Sequence, residues 1–184
     1  MATAKTGSFY LTETVELPAL TASGGRVQGT LDLSAYVNVP TGQAIAIDQV
    51  DFIYQVGADF GNDAESMITA AGHGSISAQL TDLNPGTAFV RADSQSLIAS
   101  AAMQIDGANN VVSHSADMYP DNFGPNSLSE MFLVVNDTLF LNGGPDGVAI
   151  GAASVFVTAR IRCRVVKLGP KDWTAIAIQS TASQ

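Results

Sequence analysis

The stretch that decides the fold is Ala152-Ala153-Ser154-Val155-Phe156-Val157-Thr158-Ala159-Arg160-Ile161-Arg162-Cys163-Arg164-Val165-Val166-Lys167. Side chains along a strand point alternately to opposite faces. Val155, Val157, Ala159, Ile161, Cys163 and Val165 then line one face, all apolar, and that face belongs in a core. Phe156, Thr158, Arg160, Arg162, Arg164 and Val166 line the other, with three arginines in register. Like charges two residues apart repel each other, so something must offset them. Either acidic neighbours on adjacent strands do so, the ordinary arrangement in sheets, or an outside partner does. That partner would be the acidic face of another subunit, or an anionic membrane surface, where each basic residue adds about 1 kcal/mol.

Outward from this segment the chain repeats one texture, β-rich runs separated by turn residues. The runs are Gly7 to Leu17, Arg26 to Leu33, Gln43 to Val56, Ser75 to Leu80, Thr87 to Arg91, Met131 to Val135 and Thr138 to Leu141. Between them stand Ser23-Gly24-Gly25, Pro40-Thr41-Gly42, Asn84-Pro85-Gly86, Asn136-Asp137 and Asn142-Gly143-Gly144-Pro145-Asp146-Gly147, all of which favour turns. An all-β, antiparallel β-sandwich of about eight strands is expected, as one domain over residues 1–184. In the run from Gln43, Ile45 and Ile47 are apolar at odd positions, whereas Val50, Phe52, Tyr54 and Val56 are apolar at even ones. A β-bulge near Asp48 accounts for the change of phase.

Two segments read as helical. From Asp93 to Gln104, Leu97, Ile98, Ala101 and Ala102 recur at helical spacing, which predicts a short inserted helix capped by Asp93 or Ser94. After Gly169-Pro170-Lys171-Asp172, Trp173, Ile176 and Ala177 share a helical face, although a final strand from Ala175 to Ile178 fits nearly as well.

The 184 residues are 46% hydrophobic and 14% charged, enough for a large core with apolar surface left for a partner. A formal net charge of −9 argues against coating nucleic acid, which depends on Lys and Arg displacing counterions. The charge is polarised, because Arg160, Arg162, Arg164, Lys167 and Lys171 fall within residues 160–172 beside the single acid Asp172. Cys163, the only cysteine, cannot form an intramolecular disulfide and is expected in a buried strand. No apolar leader or membrane-spanning run is present, and synthesis inside the cell is the expectation.

No catalytic constellation stands out, and a non-enzymatic protein without a cofactor is expected. His73 and His114 lack the partners and spacing of a zinc site. Ser115, His114 and Asp117 do not form a nucleophile elbow, and neighbouring residues on a strand point apart. The carboxylates Asp59, Asp63 and Glu65, and Asp117 with Asp121 and Asn122, read as solvated acidic loops, with a structural calcium ion between subunits as the alternative; neither matches the twelve-residue calcium loop. Asn136-Asp137-Thr138 fits a glycosylation pattern but reads as a tight turn. Trp173 reads as the anchor of the C-terminal segment.

The run Leu31-Asp32-Leu33-Ser34-Ala35-Tyr36-Val37-Asn38-Val39-Pro40, followed by Gln43 to Tyr54, resembles the early strands of single-jelly-roll capsid proteins from tailless icosahedral viruses with an internal membrane. Leu97-Ile98-Ala99-Ser100, Met118-Tyr119-Pro120, Val134 to Leu141 and Arg160 to Gln179 are similar in order and spacing. The resemblance implies a jelly roll of two four-stranded sheets and a structural virion protein, made in the host cytoplasm. It further implies capsomers built from copies of the chain, with other capsid proteins and an internal membrane as further partners. The missing basic arm departs from shells that package nucleic acid directly, and implies that a membrane or another protein lies between shell and genome. The basic stripe of Arg160, Arg162, Arg164, Lys167 and Lys171 is then an interface or a membrane-facing surface. The alternative is a carbohydrate-binding or adhesive β-sandwich, a spike or fibre component, for which 7% aromatic residues give little support.

Overall fold

The computed structural model describes residues 2–58, 64–69, 72–109, 111–116 and 132–181, with side chains described for all of these except 65, 114–116 and 179–181. Its strands are β1 (Thr3–Ala4), β2 (Phe9–Leu17), β3 (Val27–Asp32), β4 (Gln43–Val56), β5 (His73–Thr81), β6 (Leu97–Asp106), β7 (Val111–Ala116), β8 (Phe132–Val134), β9 (Thr138–Asp146) and β10 (Val155–Lys167). One helix, α1 (Pro170–Thr181), follows β10.

Two antiparallel sheets carry these strands. The first has the order β2-β10-β4-β8, with β1 continuing the line of β2 along β10; the second has the order β3-β9-β5-β6-β7. Strands far apart in the chain pair as nested couples: β2 with β10, β3 with β9, β4 with β8, and β5 with β6. Successive couples alternate between the sheets, as though one long hairpin were wrapped around a barrel. That is the jelly-roll topology.

The core lies between the sheets. From β10, Val155, Val157, Ala159, Ile161, Cys163 and Val165 are buried in it, as the alternation in that strand predicts. Ile45 and Ile47 face it from β4, Ile76 and Leu80 from β5, and Leu139 and Leu141 from β9. Each such fully buried aliphatic side chain is worth about 1.5–3 kcal/mol relative to exposure. A second, smaller cluster lies on the outer side of the first sheet. Ala44, Ala46, Val135, Val166 and Leu168 are buried there, with Trp173, Ile176 and Ala177 of α1 packed against them. The helical reading of the C-terminal segment is therefore the one adopted, and Trp173 anchors it.

Asp48 is the bulge residue. Arg162 pairs with Gln49 and Cys163 with Ile47, so Asp48 has no partner on β10, and the apolar phase of β4 inverts across it.

Three expectations are corrected. The segment Asp93 to Gln104 contains no inserted helix, because β6 begins at Leu97. Thr81 pairs with Leu97 and Leu80 with Ala99, so Ile98 is an extra residue that puts two adjacent apolar side chains into buried positions. This bulge imitates helical spacing in the sequence. Thr87 to Arg91 is not a strand but part of a loop that crosses the outer face of the second sheet. Side-chain amides satisfy its backbone: Gln79 receives Val90 N–H at 2.8 Å and donates to Val90 C=O at 3.0 Å, while Asn142 donates to the carbonyls of Gly86 and Ala88. Finally, Asn142 to Asp146 continue β9 instead of turning. Gly144 lies so close to Gly25 C=O that a Cβ would collide with it; the glycine serves close backbone approach, and the turn is delayed to Gly147 (φ +84°).

Candidate interaction surfaces

The three arginines of β10 project from the outer face of the first sheet, where their surroundings differ. Arg164 Nη2 donates to Asp48 Oδ2 at 3.1 Å, and Arg162 Nε lies 3.6 Å from the same oxygen. The Asp48 side chain is 1% exposed, against 27% for Arg162 and 20% for Arg164. Ser8 Oγ adds a longer contact at 3.4 Å. The bulge thus delivers one carboxylate between two cations. Asp48 Oδ1 and the Nε atoms of Arg162 and Arg164 are buried without a hydrogen-bond partner among the described residues. Arg160 has another environment. Its guanidinium lies 4.5 Å from the Tyr10 ring centroid, a cation–π contact on an exposed surface, and Asp51 is its register partner on β4.

Lys167 is exposed at the end of β10, beside β1. Lys5 lies close by: its N–H donates to Val165 C=O, and its Nζ reaches Gln43, the register partner of Lys167. Lys171 is exposed in the first turn of α1. Between the Val39–Gly42 turn and the start of α1 runs a cleft of about 600 Å³ whose walls include Pro40, Lys167, Leu168 and Trp173. Trp173 Nε1 is buried without a partner among the described residues. The basic segment therefore divides into two arginines engaged by Asp48, one arginine stacked on Tyr10, and exposed lysines at one end of the sheet.

The remaining sequence candidates disperse. His73 opens β5 and its Nδ1 lies 2.8 Å from Asp106 Oδ1, a pairing with no motif to announce it. His114 and Ser115 stand opposite Met103 and Ala102 in the β6–β7 ladder. Asp59, Asp63, Asp117, Asp121 and Asn122 lie outside the described residues, as does Met118-Tyr119-Pro120; Glu65 belongs to a short 3-10 turn, Ala64–Met67. Asn136 sits in the turn between β8 and β9 and donates to Asp82 C=O at 3.0 Å and to Asp82 Oδ2 at 3.4 Å. Asp82 is 2% exposed, and burial pushes its carboxyl up to about 6, more than its hydrogen bonds lower it. Burial, then the charge of Asp48, push the Cys163 thiol up to about 12. Among the described residues, no group of three or more His, Cys, Asp or Glu side chains is placed to hold a metal ion.

No protein-family model matches the sequence, and no curated protein does. Solved viral structures are similar at a distance. VP1 of Merkel cell polyomavirus, solved as an unassembled pentamer, is 12% identical with a TM-score of 0.43, over 89% of this chain and 98% of that one. VP1 of the Trichodysplasia spinulosa-associated polyomavirus is 11% identical with a TM-score of 0.41, over 90% and 99%. A turnip yellow mosaic virus structure is 9% identical with a TM-score of 0.32, over 89% and 96%. The strand order of this chain itself defines the jelly roll.

Proposed function

We propose that this protein is a structural subunit of a viral shell, associating laterally with copies of itself into capsomers. The observation that carries the reading is the jelly-roll sandwich whose outer faces are partly occupied by its own elements, the 82–96 loop on one sheet and α1 on the other. Lateral contact then falls to strand edges and connecting loops. Apolar side chains stand exposed there: Leu20 at 69% and Val39 at 60%. Leu20 also holds a left-handed backbone conformation (φ 62°), which costs a non-glycine residue about 1 kcal/mol. The resemblance of the Leu31–Pro40 and Val134–Leu141 segments to single-jelly-roll capsid proteins supports the same reading.

Within this reading, Lys167 and Lys171, with Lys5, supply the contact to anionic lipid headgroups, and Arg160 the contact to a neighbouring subunit. Arg162 and Arg164 serve the fold through Asp48. Flotation with vesicles containing phosphatidylserine tests the membrane contact, which is abandoned if such vesicles do not retain the protein.

Light scattering across protein concentration and salt, with negative-stain images of the same samples, tests the assembly. Trimers to hexamers, rings or closed shells are the expected species. A strict monomer under every condition would put a ligand-binding sandwich in first place.

A further inference from the structure

The outer face of the second sheet has two halves. At one end Gln28, Asn142 and Gln79 stand in register across β3, β9 and β5 and tie down the 82–96 loop. At the other end no described loop is tied down over the face, and a groove of about 570 Å³ opens over β5, β6, β7 and the end of β9. This volume falls in the range of small-ligand sites.

The floor of the groove is a polar row set by strand register. Asp146 pairs with Ser75, Ser75 with Gln104, and Gln104 with Ser113. Ile76 and Ile105 turn into the core, so these four side chains turn outward. Their neighbours on the same face, two residues along, are His73, Asp106 and Val111, again in register. Side chains opposite one another on paired strands stand about 5 Å apart. The floor therefore offers hydroxyl, amide and carboxylate groups at a spacing comparable with the separation of hydroxyls across a pyranose ring.

Both carboxylates are held in place by the protein. Asp146 accepts from Arg26 Nη2 at 2.6 Å, and Arg26 is itself fixed by the carbonyls of Pro145 and Gly25 and by the Phe89 ring at 4.3 Å. Asp106 accepts from the Asn109 side chain at 2.7 Å and from the N–H groups of Ala108 and Asn109, and its Oδ1 lies 2.8 Å from His73 Nδ1. The Asn109 amide leads the contributions that hold its carboxyl below the usual range. Acceptors positioned in advance lower the ordering cost of binding. Two carboxylates, with the nearby arginine already engaged, repel anionic ligands. Val111 adds an exposed apolar wall for the C–H face of a ring.

We infer that the groove over Ser75, Gln104, Ser113 and Asp146, walled by Asp106 and Val111, binds a neutral saccharide. The site goes beyond the assembly reading and does not rest on it, because it is built within one chain.

The test is a titration of the full chain, isotope-labelled, followed by amide chemical shifts. Neutral probes are maltotetraose, mannotriose, chitotriose and N-acetyllactosamine; a sialylated trisaccharide, a heparin tetrasaccharide and spermine are the charged ones. At least one neutral probe is expected to shift the amides of Gly74, Ser75, Gln104 and Ser113, and the two anionic probes are not. Gln104→Ala, an exposed position whose loss leaves the core intact, is expected to weaken that binding roughly tenfold. The inference is overturned if no neutral probe moves these amides above ~10 mM, where even a ~1 mM site is largely filled. It is equally overturned if the charged probes bind better, or if Gln104→Ala leaves the affinity unchanged while thermal unfolding remains that of the parent. Light scattering of the same samples reports on assembly independently, so either reading can fail alone.

Discussion

Arg164 Nη2 meets Asp48 Oδ2 at 3.1 Å, and Asp48 is the one residue of β4 that the bulge leaves without a partner on β10. An irregularity in the ladder and the neutralisation of two arginines are thus one feature. Without the extra residue, no carboxylate would stand between Arg162 and Arg164.

Asp48→Ala follows from this as a destabilising change. It leaves two largely buried guanidinium groups without their counter-ion, and about 2 kcal/mol is expected after allowing for their residual exposure. Urea unfolding checks it. Asp48→Ala with Arg164→Met should recover part of the loss, and a single variant as stable as the parent would show that solvent already compensates the arginines.

Asp82 makes stability fall as pH rises. Its folded carboxyl titrates at about 6 against 3.8 for the ordinary group, so the folded state holds the proton more tightly. The favourable contribution is complete below pH ~4 and lost as pH passes ~6, an effect on the order of 2–3 kcal/mol. Asp82→Asn, which cannot ionise, should raise the urea midpoint at pH 8 and leave it nearly unchanged at pH 4. Equal effects at both pH values would refute the assignment.

Cys163 is expected to be inert while the protein is folded. The thiolate is the reactive species, and a thiol pushed up to about 12 in a fully buried position supplies almost none at pH 8. Ellman's reagent should react only as fast as the protein opens, and at once in denaturant. Rapid labelling of the native protein would contradict the packing of β10.

Gly144→Ala is expected to cost about 1–3 kcal/mol, because the added methyl meets Gly25 C=O and the Arg26 side chain, and a backbone carbonyl cannot yield cheaply. Gly24→Ala is a control with open space around its Cβ but a left-handed backbone (φ +82°), so its cost is conformational. Chemical denaturation separates the two. Equal, small losses would mean that the β2–β3 loop shifts to make room.

The alternation of Val155 to Val165 determined the central strand of the first sheet, and the phase change in β4 located its bulge, because a period of two is a local property of the chain. The turn residues bounded most strands for the same reason. Strand order, by contrast, arises from pairings between residues as distant as Phe9 and Cys163, on which local pattern is silent. The bulge at Ile98 and the close approach at Gly144 were not legible in the sequence, since each reflects a contact with a remote segment rather than an intrinsic preference. The candidate sites divide along the same line. Three arginines in register were legible in the sequence, but the neutralisation of Arg162 and Arg164 by Asp48 was decided only when β4 and β10 came together, and the polar groove exists only because four strands align Ser75, Gln104, Ser113 and Asp146 in one row.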